Sequence, residues 1–231
     1  MMVQGLTIAF PSGEREVLGY LARPEGDGPF PSVIIIHEIY GLTDNIKNIA
    51  HRFAEEGYAA LAVDLFSGRN RTVCMFRFMG QMIFKSQNNE SLHDLQSSLT
   101  FLETRPEVDK ERIGAIGFCM GGGFAIAWAC NDERLKVVAP FYGMNPRPLE
   151  SVKRSCPVVG SYPENDFTAS QGRKLEQKLK EYTISHDIKI YPEAKHSFFN
   201  EQGQAYQAEA SQDAWQRVLT FFSTHIGEET A

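Results

Sequence analysis

The run Arg112-Ile113-Gly114-Ala115-Ile116-Gly117-Phe118-Cys119-Met120-Gly121-Gly122-Gly123 leaves this chain few ways to fold. Its apolar first half reads as a short buried strand, and Phe124-Ala125-Ile126-Ala127-Trp128-Ala129 behind it has helix character. A strand that passes directly into a helix needs a tight bend. Gly117 and Gly121 stand two residues to either side of Cys119, where such a bend leaves no room for side chains. The pattern Gly-x-Cys-x-Gly-Gly thus has the spacing of a nucleophile elbow with cysteine at its apex. A residue at that apex also meets the unpaired N–H groups that start the helix, a setting that favours negative charge and hence a thiolate. Cys119 is the expected nucleophile, and iodoacetamide should label it faster than the other thiols. An isolated cysteine is more simply a small buried hydrophobe, and Cys74, Cys130 and Cys156, which lack this setting, are read as reduced core or surface thiols.

The flanking pattern alternates strands and helices. Val3 to Phe10 and Glu16 to Arg23 alternate apolar and polar residues around Pro11-Ser12-Gly13, which predicts an antiparallel hairpin at a sheet edge. Ser32-Val33-Ile34-Ile35-Ile36-His37 and Tyr58 to Val63 are apolar without alternation, as strands buried on both faces are. Leu135 to Phe141, Pro157 to Tyr162 and Ile188 to Tyr191 complete a set of about eight strands. Helices are expected at Asp44 to Glu56, Ser91 to Leu102, Ser170 to Glu181 and Ala205 to His225. Such a succession builds a mostly parallel α/β sheet with helices on both faces. Leu65 to Asn89 carries Arg69, Arg71 and Arg77 among Phe76, Phe78, Met79, Met82 and Phe84; it reads either as an insertion over the site or, preferably, as a helix on the sheet with its arginines in solvent.

With 231 residues, 42% of them hydrophobic, the chain can bury a full core as one domain spanning residues 1–231. A net charge of -6 and the lack of any basic cluster interleaved with aromatics argue against nucleic acid or an anionic membrane surface as partner. Met1-Met2-Val3-Gln4-Gly5 has no signal-like character and no apolar run reaches the length of a membrane span, so a cytoplasmic protein acting on a small molecule is expected. Four cysteines at scattered spacings form no zinc pattern, and neither a metal nor a structural disulfide is expected.

A nucleophilic thiol needs a base, and the base needs a group that orients it. His51, His93, His186 and His225 lie in or beside polar helical stretches, and His37 ends a buried strand before the nucleophile. His196, in Ala194-Lys195-His196-Ser197-Phe198-Phe199, follows the last strand at the correct sheet edge and is the expected base. For the orienting acid, Glu164 and Asp166 both follow the strand ending near Tyr162. Asp166, just before the next helix, is preferred over its alternative role as a helix-entry cap.

Gly117-Phe118-Cys119-Met120-Gly121-Gly122, His37-Glu38-Ile39-Tyr40-Gly41, Gly160-Ser161-Tyr162 leading to Asp166, and Tyr191-Pro192 leading to His196-Ser197-Phe198 together resemble the dienelactone hydrolase family over nearly the whole chain. The resemblance implies an α/β-hydrolase fold, a Cys119-His196-Asp166 triad and no cofactor. It also implies that Glu38 holds the resting thiol and takes its proton as substrate binding swings the sulfur toward the histidine; otherwise Glu38 is a salt-bridged loop residue. The backbone N–H groups of Ile39 and Met120 would form the oxyanion hole. Dienelactone-cleaving members of the family place an arginine four residues after the histidine, where this chain has Asn200.

A thiolate leaves a tetrahedral adduct easily, so a cysteine elbow suits carbonyls with good leaving groups: enol lactones, aryl esters and thioesters. Arg69, Arg71 or Arg77 could bind a substrate carboxylate, or Tyr142, Phe199 and Phe78 could line an apolar pocket for a less polar ester. The alternative is a catalytically silent protein that binds a ligand on the same fold, against which the complete set of Cys119, His196, Asp166 and Glu38 argues.

Overall fold

The β-branched run at Val33–Ile36 forms the middle of a sheet whose two faces are both covered. Val33 and Ile35 point into one apolar layer, Ile34 and Ile36 into the other, and all four are fully buried. Each such side chain stabilises the fold by about 1.5–3 kcal/mol relative to exposure. The structure, a computed structural model, describes residues 2–69, 80 and 89–227. The reading of Leu65 to Asn89 as a helix, together with Phe78, Arg71, Arg77 and Cys74, lies almost wholly outside the described residues; Arg69 is within them.

Eight strands form one sheet: β1 (Val3–Ser12), β2 (Arg15–Pro24), β3 (Phe30–Ile36), β4 (Ala59–Asp64), β5 (Val108–Phe118), β6 (Val137–Phe141), β7 (Val158–Pro163) and β8 (His186–Tyr191). Their order is β1-β2-β4-β3-β5-β6-β7-β8. β2 pairs antiparallel with β1 and with β4, and every other pairing is parallel, which places the hairpin at the edge as expected. The hairpin turns at Gly13, one residue beyond the Pro-Ser-Gly centre, because Pro11 and Ser12 still pair with Glu16 and Arg15.

The helices α1 (Asp44–Glu55) and α5 (Ala208–Ile226) cover one face, packing Ile46, Ile49, Phe53, Trp215, Val218 and Phe222 around the odd-numbered residues of β3. α2 (Glu90–Glu103), α3 (Met120–Ala129) and α4 (Ala169–Glu181) cover the other through Leu92, Leu95, Leu99, Phe124, Leu175 and Leu179. All ten residues of α3 are buried, so the elbow helix has no polar face to show solvent. A short 3-10 turn at Leu149–Arg154 was not legible as an element in the sequence. Among the described residues no helix is long and apolar enough to cross a membrane.

Candidate active site

β5 ends at Phe118, and the chain enters α3 through Cys119 at φ 55° and ψ -116°, a conformation that a side chain adopts only under constraint. Close packing supplies the constraint. A Cβ on Gly117 would overlap the Gly121 carbonyl, and one on Gly121 would overlap the carbonyls of Ile36 and His37 at the end of β3. The Cys119 N–H donates to the Phe141 carbonyl at 3.0 Å, which ties the elbow to the end of β6. The thiol therefore stands at the C-terminal edge of the central strands, as the motif predicts.

Two more loops at this edge hold residues in the left-handed region, Tyr142 after β6 (φ 39°) and Ser197 after β8 (φ 64°). The loops after β7 and β8 are joined by backbone bonds from Glu164 N–H to the Tyr191 carbonyl at 2.9 Å and from Asn165 N–H to the Ala194 carbonyl at 3.0 Å. This pairing brings Asp166 and His196 together: His196 Nδ1 lies 2.8 Å from Asp166 Oδ2. With its proton on Nδ1 for that bond, the ring keeps the Nε2 lone pair to receive a proton. Burial alone would raise the Asp166 carboxyl, but hydrogen bonds from His196 and from the hydroxyl and N–H of Thr168 hold it below the usual carboxylate range. The imidazole packs between two rings, Tyr142 at 5.0 Å and Phe167 at 5.9 Å, the latter almost parallel at 11°.

Glu38 is 4% exposed, in the loop after β3. Its Oε1 accepts from the Ser197 hydroxyl at 2.6 Å, its Oε2 from Asn200 Nδ2 at 3.0 Å, and the Tyr142 hydroxyl donates to it as well. Among the described residues no Lys or Arg pairs with it, so the alternative of a salt-bridged loop residue is not what the structure shows. Its described partners beside the sulfur are all neutral hydrogen-bond donors.

The thiol responds to this setting. Burial, then the Glu38 carboxylate, and finally Asp166 push it up to about 12, against a lowering hydrogen bond from the Met120 N–H. The expected thiolate at the helix N-terminus is thereby corrected: desolvation and two carboxylates outweigh the partial positive charge of one helix end. Burial pushes the Cys130 and Cys156 thiols up as well, so faster iodoacetamide labelling of Cys119 than of the other thiols has no support from the helix start and depends on access to the sulfur. Among the described residues no hydrogen bond joins the sulfur to His196.

Other sequence-predicted positions separate. Tyr142 borders the site, 1% exposed, with its hydroxyl turned to Glu38. Phe199 is 2% exposed and stacks on Phe118 at 5.3 Å within the core, so it does not line an open pocket. Arg69 turns away to Glu90 and the Leu65 and Phe66 carbonyls, at 2.7–3.2 Å. The Met120 N–H opens α3 beside the sulfur, and Ile39 lies in the loop that carries Glu38. The remaining histidines make local bonds elsewhere, His51 to Tyr20, His93 to Ser12, His186 to Ile184 and His225 to Phe221.

Ser197, Thr168 and Phe167 were missed by sequence reasoning. Neither hydroxyl has a motif of its own, and the only signal was their adjacency to His196 and Asp166. Phe167 is 65% exposed, an aromatic face left open at the rim. His196 and Ser197 line a cleft of about 750 Å³ that also takes in Tyr40, Thr43, Asn200, Gln202 and Gln204, with no Lys, Arg, Asp or Glu among its described walls. Among the described residues no cluster of three or more His, Cys, Asp or Glu could hold a metal ion.

The sequence model of the dienelactone hydrolase family matches residues 17–226. A Synechocystis protein provisionally named carboxymethylenebutenolidase is 30% identical over 95% of this chain and 96% of its own length. One from Saccharolobus solfataricus with the same name is 34% identical, over 93% and 96%. The crystal structure of a protein provisionally named dienelactone hydrolase, from Klebsiella pneumoniae, superposes with a TM-score of 0.85 at 27% identity, covering 97% of this chain and 100% of that one.

Proposed function

This chain belongs to the dienelactone hydrolase family and is a carboxylic ester hydrolase of the α/β-hydrolase fold; we propose that it cleaves uncharged activated esters or enol lactones through Cys119, His196 and Asp166. The observation that carries the assignment is the 2.8 Å His196–Asp166 bond at the same sheet edge as the strained elbow of Cys119.

The resting sulfur holds its proton, which guards it until a substrate enters. Binding turns the thiol toward the imidazole while Glu38 takes its proton. The sulfur then attacks the carbonyl carbon, and the π pair moves onto an oxygen held by the N–H groups of Met120 and Ile39. Collapse expels the enolate or aryloxide, which takes up the proton held by Glu38 and so restores its carboxylate, and leaves a thioester. Water gives a proton to His196 Nε2 and attacks the thioester; the sulfur leaves and takes the proton back. Asp166 keeps the ring in the required tautomer throughout.

The substrate's charge follows from the field of the site. Glu38 and Asp166 both stand near the reacting carbonyl, and beside the His196 ring the described cleft walls supply hydroxyls and carboxamides but no Lys or Arg. A carboxylate-bearing substrate would meet repulsion that is strongest where water is excluded. Asn200 spends its Nδ2 donor on Glu38 and is no substitute for a cation.

A panel of aryl esters, thioesters and enol lactones, each as a neutral and a carboxylate-bearing pair, tests this on the wild type, Cys119→Ala and Cys119→Ser. Loss of turnover in Cys119→Ala and at least about tenfold preference for the neutral partner are expected. Wild-type turnover in Cys119→Ala would overturn the mechanism, and preference for the anionic partner would overturn the substrate class. A wild type inert on the whole panel favours the ligand-binding alternative.

A further inference from the structure

We infer that His37 is a positioning residue for the oxyanion hole: it aims the Ile39 N–H at the substrate by holding the Glu38 carbonyl. This rests on the ester-hydrolase reading. His37 is fully buried at the end of β3 and takes part in no step of the mechanism above. Its two nitrogens have different partners. The Leu65 N–H donates to Nε2 at 3.1 Å, so that nitrogen carries a lone pair and no proton. The proton therefore sits on Nδ1, 2.5 Å from the Glu38 carbonyl oxygen, to which it donates. Asp64 Oδ1 lies 3.7 Å from Nε2, beyond hydrogen-bond length, and accepts from the Phe66 N–H at 2.9 Å; against its burial, the neighbouring His37 ring and the Phe66 and Ser67 N–H groups hold its carboxyl below the usual range.

The Glu38 carbonyl also accepts from the Gly41 N–H at 3.2 Å, which fills its second lone pair. A carbonyl held from two sides cannot rotate. The peptide joining Glu38 to Ile39 is planar and trans, so fixing its carbonyl fixes the Ile39 N–H to point the opposite way. That N–H has no acceptor among the described residues and is free for a substrate oxygen. One imidazole thus sets a dipole that reaches full strength only when charge develops on the carbonyl, and its Leu65 bond anchors the arrangement to the end of β4.

The two bonds can be cut separately. Asparagine places its amide nitrogen where Nδ1 stands, and glutamine places its amide oxygen near Nε2. His37→Asn therefore keeps the donor to the Glu38 carbonyl, whereas His37→Gln keeps only the link to Leu65. On an aryl ester, kcat of His37→Gln should fall about 10- to 100-fold with KM within about twofold, and His37→Asn should stay within about threefold of wild type. Alkylation of Cys119 by iodoacetamide builds no oxyanion, so its rate should be the same in all three proteins. Wild-type kcat in His37→Gln, an equal fall in His37→Asn, or a parallel fall in alkylation would each overturn the assignment. Nitrogen-15 NMR of the wild type serves independently of any variant's folding: a protonated Nδ1 and bare Nε2 are expected, and a proton on Nε2 overturns the argument. Lack of any ester turnover in the wild type would instead sink the hydrolase reading itself.

Discussion

Glu38→Gln removes one charge from beside Cys119 and leaves the burial in place. The wild-type thiol lies at about 12 against an ordinary 9.0, roughly three pH units, or about 4 kcal/mol against forming the thiolate. At pH 8 only about one sulfur in ten thousand is then ionised. Burial is the larger cause and is untouched by the substitution, so the glutamine should recover only the smaller share owed to the carboxylate. Iodoacetamide should alkylate Cys119 of the variant about tenfold faster at pH 8, with the midpoint of its pH profile displaced downward. Cys130 and Cys156, at unchanged rates, are internal controls in the same peptide map. The Ser197 hydroxyl can still donate to the amide oxygen placed at Oε1, so the loop keeps that tie across the sheet edge. Turnover should move the other way: kcat/KM on an aryl ester should fall by about tenfold or more, because the nearest proton acceptor is gone. Superimposable alkylation profiles would show that this charge does not restrain the thiol, and undiminished turnover would remove Glu38 from the proton's path.

Two further perturbations reach other parts of the site. Asp166→Asn should lower kcat by about 10³- to 10⁴-fold, since the ring loses its partner and its tautomer. The wild-type Asp166 carboxyl is held below its unfolded value, so its stabilising contribution is present above that value and disappears as pH falls through the folded one. Urea unfolding at pH 7 and pH 3 should therefore show a stability gap between the two proteins that narrows in acid, and a gap independent of pH would refute the linkage. Gly121→Ala should cost about 3 kcal/mol or more, or prevent folding, because the added methyl has only backbone to displace. An unchanged Tm in a thermal scan would show that the elbow is not packed as described.

The parts of this site that were legible in the sequence are those set by local rules. Gly117 and Gly121 announce the bend because the bend itself excludes side chains, and the fully apolar run at Val33–Ile36 announces a sheet covered on both faces. His196 and Asp166 were found from their positions after strands. What the sequence could not carry are bonds between distant loops. Ser197 and Asn200 reach Glu38 across 159 and 162 positions, and no pattern around either residue encodes that meeting. Phe199 shows the converse failure: beside the histidine it looks like a pocket wall, but the turn at Ser197 sends its ring inward onto Phe118. The thiol's ionisation depends on contacts of the same long-range kind. A helix start can be seen in the sequence, whereas the burial and the two carboxylates that overrule it exist only after folding.

These long-range contacts make the resting site a restrained one. Three strand ends place Cys119, Tyr142 and Ser197 in the left-handed region, and each then serves Glu38 or the sulfur beside it. Backbone strain of order 1–3 kcal/mol per residue persists only where surrounding packing over-determines it, and here the fully buried α3 and the aromatic layer of Phe118, Phe141 and Phe198 provide that packing. The strain holds the Glu38 side chain against a thiol that burial and this neighbour push up, so the resting site disfavours the thiolate that the proposed mechanism requires. Oxidants and alkylating agents attack thiolates, so a sulfur kept in this state is protected between turnovers. The same restraint filters substrates. On the proposed mechanism, a carbonyl that accepts negative charge from the N–H groups of Ile39 and Met120 offsets the cost of ionising Cys119, and esters with poor leaving groups return the sulfur before the bond breaks.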